Sequence, residues 1–79
     1  MDIRVEVICI DGVWNVTDSG PGLSRHASER EALAAGVNIA LQHHIDTGGE
    51  AAVHLWRGAE DMVMFDTRSA TAGQHINLA

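Results

Sequence analysis

Lysine and tyrosine do not occur in this chain of 79 residues, and cysteine occurs once. Five arginines stand against eleven acids, for a formal charge of −6. Direct nucleic-acid binding needs a basic patch, and five cations on so acidic a background are too few to build one. The single Cys9 excludes an intrachain disulfide and, with no Cys-x-x-Cys, the common structural zinc sites. Set in a β-branched run, Cys9 is expected to be a buried small hydrophobe in a reducing cytosol, slow toward thiol reagents. No apolar run approaches the roughly 20 residues needed to span a bilayer. Asp2, Arg4 and Glu6 interrupt the N-terminus where a signal peptide would be apolar. A soluble cytoplasmic protein that does not touch membrane is therefore expected. A chain of this size buries only about 60–65% of its unfolded surface. With no disulfide to add stability, oligomerisation is the staple to look for.

What is present begins with Ser28 to Gly49, the one long periodic stretch. Ser28 followed three residues later by Glu31 is a capping box, and Glu29 and Glu31 place carboxylates at the positive end of the helix dipole. Gly48-Gly49 offers positive φ just past the last turn. At about 100° per residue, Leu33, Val37, Ala40, Leu41 and His44 share one side, against Glu31, Asn38, Gln42 and Asp46. Gly36, at the edge of that stripe, costs roughly 1 kcal/mol in helix propensity, and its presence implies close approach to a sheet.

Ile3 to Ile10 is rich in β-branched residues, and Asp11-Gly12 separates it from a second such run, VWNVTD. Asp-Gly predicts a type I′ hairpin that pairs Ile10 with Val13, and this register puts Cys9 opposite Trp14 and Val7 opposite Val16 on the face that meets the helix. The other face then carries Ile8, Ile10 and Val13 where a half-exposed sheet should be polar. Ser19 to Ala27, with Gly-Pro-Gly, reads as a loop, with Leu23 tucked under the helix start. EAAVHLW and MVMFD read as a third and a fourth strand, the latter after an RGAED turn, and both are apolar on two sides. The fold expected is α+β: ββαββ, one helix packed on a four-stranded antiparallel sheet, over residues 1–66. Residues 67–79 are expected to be a flexible C-terminal tail, with the ordering of the Ile76–Leu78 group on a neighbouring chain as its one alternative.

Chemistry is sparse. His43 and His44 are adjacent and diverge by about 100° on a helix, so they cannot hold one ion from a single face, and no His-Glu-x-x-His occurs. No catalytic residue, cofactor site or metal site is expected, and an enzyme is not. Should a metal prove present, His44 and His54 are the pair to examine. No Gly-x-Ser-x-Gly turn exists among the serines, and Glu60-Asp61 reads as a solvated hairpin turn. Gly-Pro-Gly lacks the Lys and Ser/Thr of a phosphate loop.

Gly12-x-Trp14-x-Val16, a Ser-capped helix with Glu31-Ala32, Gly-Gly, and a hairpin spanning Val53 and Gly58 together resemble the small bacterial domain of unknown function numbered 2188, over about residues 3 to 66. These motifs are structural, and the resemblance brings no catalytic residue with it. That family is commonly basic near its second turn, where this chain has Glu60 and Asp61. A shorter stretch, Gly12 to Leu33, is similar to the antitoxin half of HicB-type toxin–antitoxin pairs, which place three strands before the helix where two are read here. The function expected is a small protein-interaction domain, homodimeric through Ile8, Ile10, Val13 and Trp56 or capping another protein. The alternative is an acidic inhibitor, antitoxin-like or phage anti-defence-like, that occludes the basic nucleic-acid site of its partner.

Overall fold

The structure, a computed structural model, describes residues 2–18 and 22–68. It opens on the expected hairpin. β1 (Ile3–Ile10) and β2 (Val13–Thr17) are joined by Asp11 at φ 51 and Gly12 at φ 79, the positive pair a type I′ turn requires. Ile10 lies opposite Val13, Cys9 opposite Trp14 and Val7 opposite Val16. α1 (Glu29–Thr47) begins where its cap dictates: Ser28 is extended at φ −136 and its Oγ accepts the Glu31 N–H at 3.2 Å. It ends at Gly48, φ 74, whose N–H donates to His44 O at 2.9 Å. Ser28→Ala should lower stability by about 0.5–2 kcal/mol; an unchanged melting temperature would mean that the cap carries none of the helix's stability.

Two features depart from a four-stranded antiparallel ββαββ sheet. Gly22–His26, read from sequence as loop, is a strand (β3) paired antiparallel with β2, so the sheet has five strands. β4 (Ala51–Arg57) pairs parallel with β1 and antiparallel with β5 (Glu60–Asp66), giving a mixed sheet ordered β3-β2-β1-β4-β5. The parallel pair follows from β3. Two hairpin reversals leave β3 running in the direction of β1, and a helix that returns the chain to the other end lets β4 start beside Ile3, with Ile3 opposite Ala51. At about 1.5 Å per residue the 19 residues of α1 span about 28 Å, the length of β1. β4 and β5 are joined by Gly58-Ala59, where Gly58 alone has positive φ (60), as in a type II′ turn.

Val5, Val7, Val16, Val53, Leu55 and Phe65 point from the sheet to Ala32, Leu33, Val37 and Ala40 of the helix, and all are buried. Leu41 and His44, the remaining members of the helical stripe, sit at its margin. Leu41 is exposed, while His44 is half-buried with Nδ1 2.7 Å from the Gly49 carbonyl. Gly36 lies close against the sheet: a Cβ there would stand 3.2 Å from Val53 Cγ1 and 3.4 Å from Val5 Cγ1. The packed unit also extends beyond residue 66. Thr67 is buried and its Oγ1 accepts the Ala51 N–H at 2.9 Å while donating to the Glu50 carboxylate; Arg68 pairs with Asp2 at 3.0 Å. The rest of the tail and the Leu23 side chain lie outside the described residues.

Cys9 requires a correction. Its face is the expected one, opposite Trp14, yet it is exposed. The helix covers β1 at Val5 and Val7, and Cys9 lies beyond that cover, toward the end of the strand. Native protein should therefore label with a thiol reagent at close to the rate of an unfolded control. Protection of a hundredfold or more would place Cys9 under cover after all.

Candidate interaction surface

One helix covers one face of the sheet. The face without it is formed by alternate residues of all five strands, and the registers fix their positions. One row crosses the whole sheet: Arg25 on β3, Asn15 on β2, Ile8 on β1, Trp56 on β4 and Asp61 on β5. Above it lie Val13 and Ile10, and below it Thr17, Glu6, His54 and Val63. Of the four residues expected at an interface, Ile10 and Val13 are exposed, at 52% and 40%, and Ile8 and Trp56 are half-buried, so all four share this open face. Val63, 59% exposed, adds to the apolar surface on the far side of His54.

A charged network borders the apolar group. The Arg4 guanidinium donates to Glu6 at 3.1 Å and to Asp61; His54 Nδ1 lies 2.8 Å from Asp61 Oδ1; Trp56 Nε1–H donates to Glu6 Oε1 at 3.2 Å. Desolvation at the sheet surface would raise the Asp61 carboxyl, but the hydrogen bond and charge of His54 and the Arg4 guanidinium outweigh it and hold that carboxyl below the usual carboxylate range. The network fixes the side chains that flank Trp56. Asp61, read from sequence as part of a solvated turn, is instead the hub of these contacts on β5. A shallow depression of about 240 Å³ lies at the other side of the face, lined by Ile10, Val13, Asn15 and Arg25.

His54 is on the open face and His44 on the helix, with the sheet between them, so the two are not brought together. Among the described residues no group of three His, Cys, Asp or Glu is arranged to hold a metal ion. On β3, Ser24 Oγ lies 2.8 Å from His26 Nε2, both on the helix side, a contact invisible while this segment was read as loop. A second, smaller cavity of about 100 Å³ lies at the strand ends between Asp2, Glu50, Asp66 and Arg68. There the Glu50 N–H, donated to Asp2 Oδ1 at 3.0 Å, holds the Asp2 carboxyl low, assisted by Arg68.

No family model, curated protein or solved structure matches the chain. No helix among the described residues is long and apolar enough to cross a membrane. The large side chains of the open face point outward without converging on one point, an arrangement suited to another protein surface rather than to a small molecule.

Proposed function

We propose that this is a small protein-interaction domain without catalytic activity, which self-associates through the open face of its sheet. The observation that carries this reading is the contiguity of Ile8, Ile10, Val13 and Trp56 on a face that the helix leaves uncovered. Monomeric domains seldom leave such a group of large apolar side chains in water. At about 4.8 Å between strands and 3.3 Å per residue, the five strands present roughly 500 Å². Two such faces together bury about 1,000 Å², the size of weak, transient interfaces. A dimer that forms in the micromolar range is the expectation. Light scattering on the eluting wild-type chain tests it: a dimer mass supports the reading, and a monomer at high micromolar concentration overturns it.

The second reading is an acidic inhibitor of a basic partner, of the HicB-antitoxin or anti-defence kind. Two observations favour it. Three strands precede the helix, which removes the difference in strand count noted against HicB-like domains. The chain carries a formal charge of −6, and Arg4, Arg57 and Arg68 are each paired with acids. Salt-sensitive binding to a basic protein by a monomeric chain would favour this reading over the first. The resemblance to domain 2188 fits either.

A further inference from the structure

We infer that two copies pair about a two-fold axis running along β1, so that Arg25 of each protomer meets Trp56 and Asp61 of its partner. This rests on the self-association proposed above and deepens it.

Symmetry restricts how two copies can meet. Ile8 is the midpoint of the row Arg25, Asn15, Ile8, Trp56, Asp61. Two identical faces laid against each other must be related by an axis in the plane between them, and such an interface is self-complementary only for some axes. An axis along β1 exchanges the two edges of the sheet. It sets Ile8 on Ile8, Asn15 opposite Trp56 and Arg25 opposite Asp61. The alternative axis, across the strands through the same row, sets Arg25 on Arg25 and Asp61 on Asp61 and lays Ile10 over Glu6. Like charges and an apolar residue over a carboxylate both oppose association. The first axis avoids the Arg25 pair and the apolar residue over a carboxylate; Asp61, bridged to Arg4 and His54, is no barer a charge than Glu6 and does not decide between the axes.

Shape agrees with charge. The depression lined by Ile10, Val13, Asn15 and Arg25 lies on the side of the face that this axis brings over the partner's Trp56. A half-buried indole is the kind of anchor that carries an interface. Arg25 is exposed, and it makes no ion pair among the described residues. In the pair its guanidinium lies over the indole face and within reach of the Asp61 carboxylate, a cation–π contact and an ion pair from one side chain. Near the axis Arg4 and Glu6 meet their own copies, but each is already bridged to the other, so no bare like charges face each other.

Charge reversal tests the axis. Arg25→Asp and Asp61→Arg, each confirmed folded by circular dichroism, should each raise the dimer dissociation constant about tenfold or more, because each homodimer then carries two like-charge contacts. Mixing the two variants should restore association, since position 25 of each then faces the opposite charge at position 61 of the other. Both variants remain acidic, so bulk charge would not favour the mixture. Should Asp61→Arg fail to fold, Asp61→Asn with Arg25→Asp should associate more tightly than Arg25→Asp alone. A wild-type dimer insensitive to Arg25→Asp, or a mixture that stays monomeric, overturns the axis and leaves self-association standing. A wild-type chain that never dimerises removes both.

Discussion

Leu55→Ala should remove about 2–5 kcal/mol of folding stability, the cost of losing buried methyl groups plus the cavity they leave. Leu55 is fully buried on β4, between Val7 and Met62 across the sheet, and it is the largest fully buried side chain in the described core. The helix above it is held close by Gly36, which limits how far the site can collapse to fill the space. A domain of this size has on the order of 5 kcal/mol in total, so the variant should be substantially unfolded near physiological temperature. Urea denaturation at fixed protein concentration reads the effect, with concentration held because association itself adds stability. A loss below about 1 kcal/mol would show that the helix and sheet are not packed against each other at Leu55.

Trp56→Ala should raise the dimer dissociation constant by about thirtyfold or more, corresponding to about 2 kcal/mol for an anchoring indole. Trp56 belongs to the apolar group through Ile8, its register neighbour, and to the charged network through its N–H bond to Glu6. Truncation removes both the area and the orientation of Glu6. Glu6 is unsuitable as a neutral control, because it lies on the same face and bonds to Arg4 and Trp56. Asp46→Ala, exposed on the helix, is the appropriate control and should leave association unchanged. Sedimentation velocity over a concentration series distinguishes them. Equal dissociation constants for wild type and Trp56→Ala would remove Trp56 from the interface.

The local features were legible because local chemistry determines them. Asp11-Gly12 sets the turn and hence the register, Ser28 the helix start, Gly48 its end, and Gly36 the close approach. Alternation and the Asp-Gly turn group Ile8, Ile10 and Val13 on one face; that Trp56 joins them depends on the register of β4 against β1. β3 was missed because Gly-Leu-Ser-Arg-His after Gly-Pro has turn residues and little β propensity. As an edge strand it needs only one partner, and β2 supplies it. The parallel pairing of β1 with β4 is a long-range choice that follows from the extra strand, so missing β3 concealed it as well. Cys9 shows the limit of face assignment: alternation gives the side of the sheet but not how far the helix extends over it. Arg25 and Asp61 could not be named from sequence, because their common row exists only once all five strands are in order.

The chain has two tryptophans, and they stand on opposite faces of the sheet: Trp14 beside Cys9 on the helix side, Trp56 on the open side. Proton–nitrogen correlation spectra recorded from low micromolar to millimolar concentration therefore test the central claim most directly. The account predicts that the Trp56 indole signal and the backbone amides of Ile8, Ile10 and Val13 shift together along one binding curve, while the Trp14 indole stays in place. Spectra that do not change with concentration, or a curve followed by Trp14 and not Trp56, would contradict it.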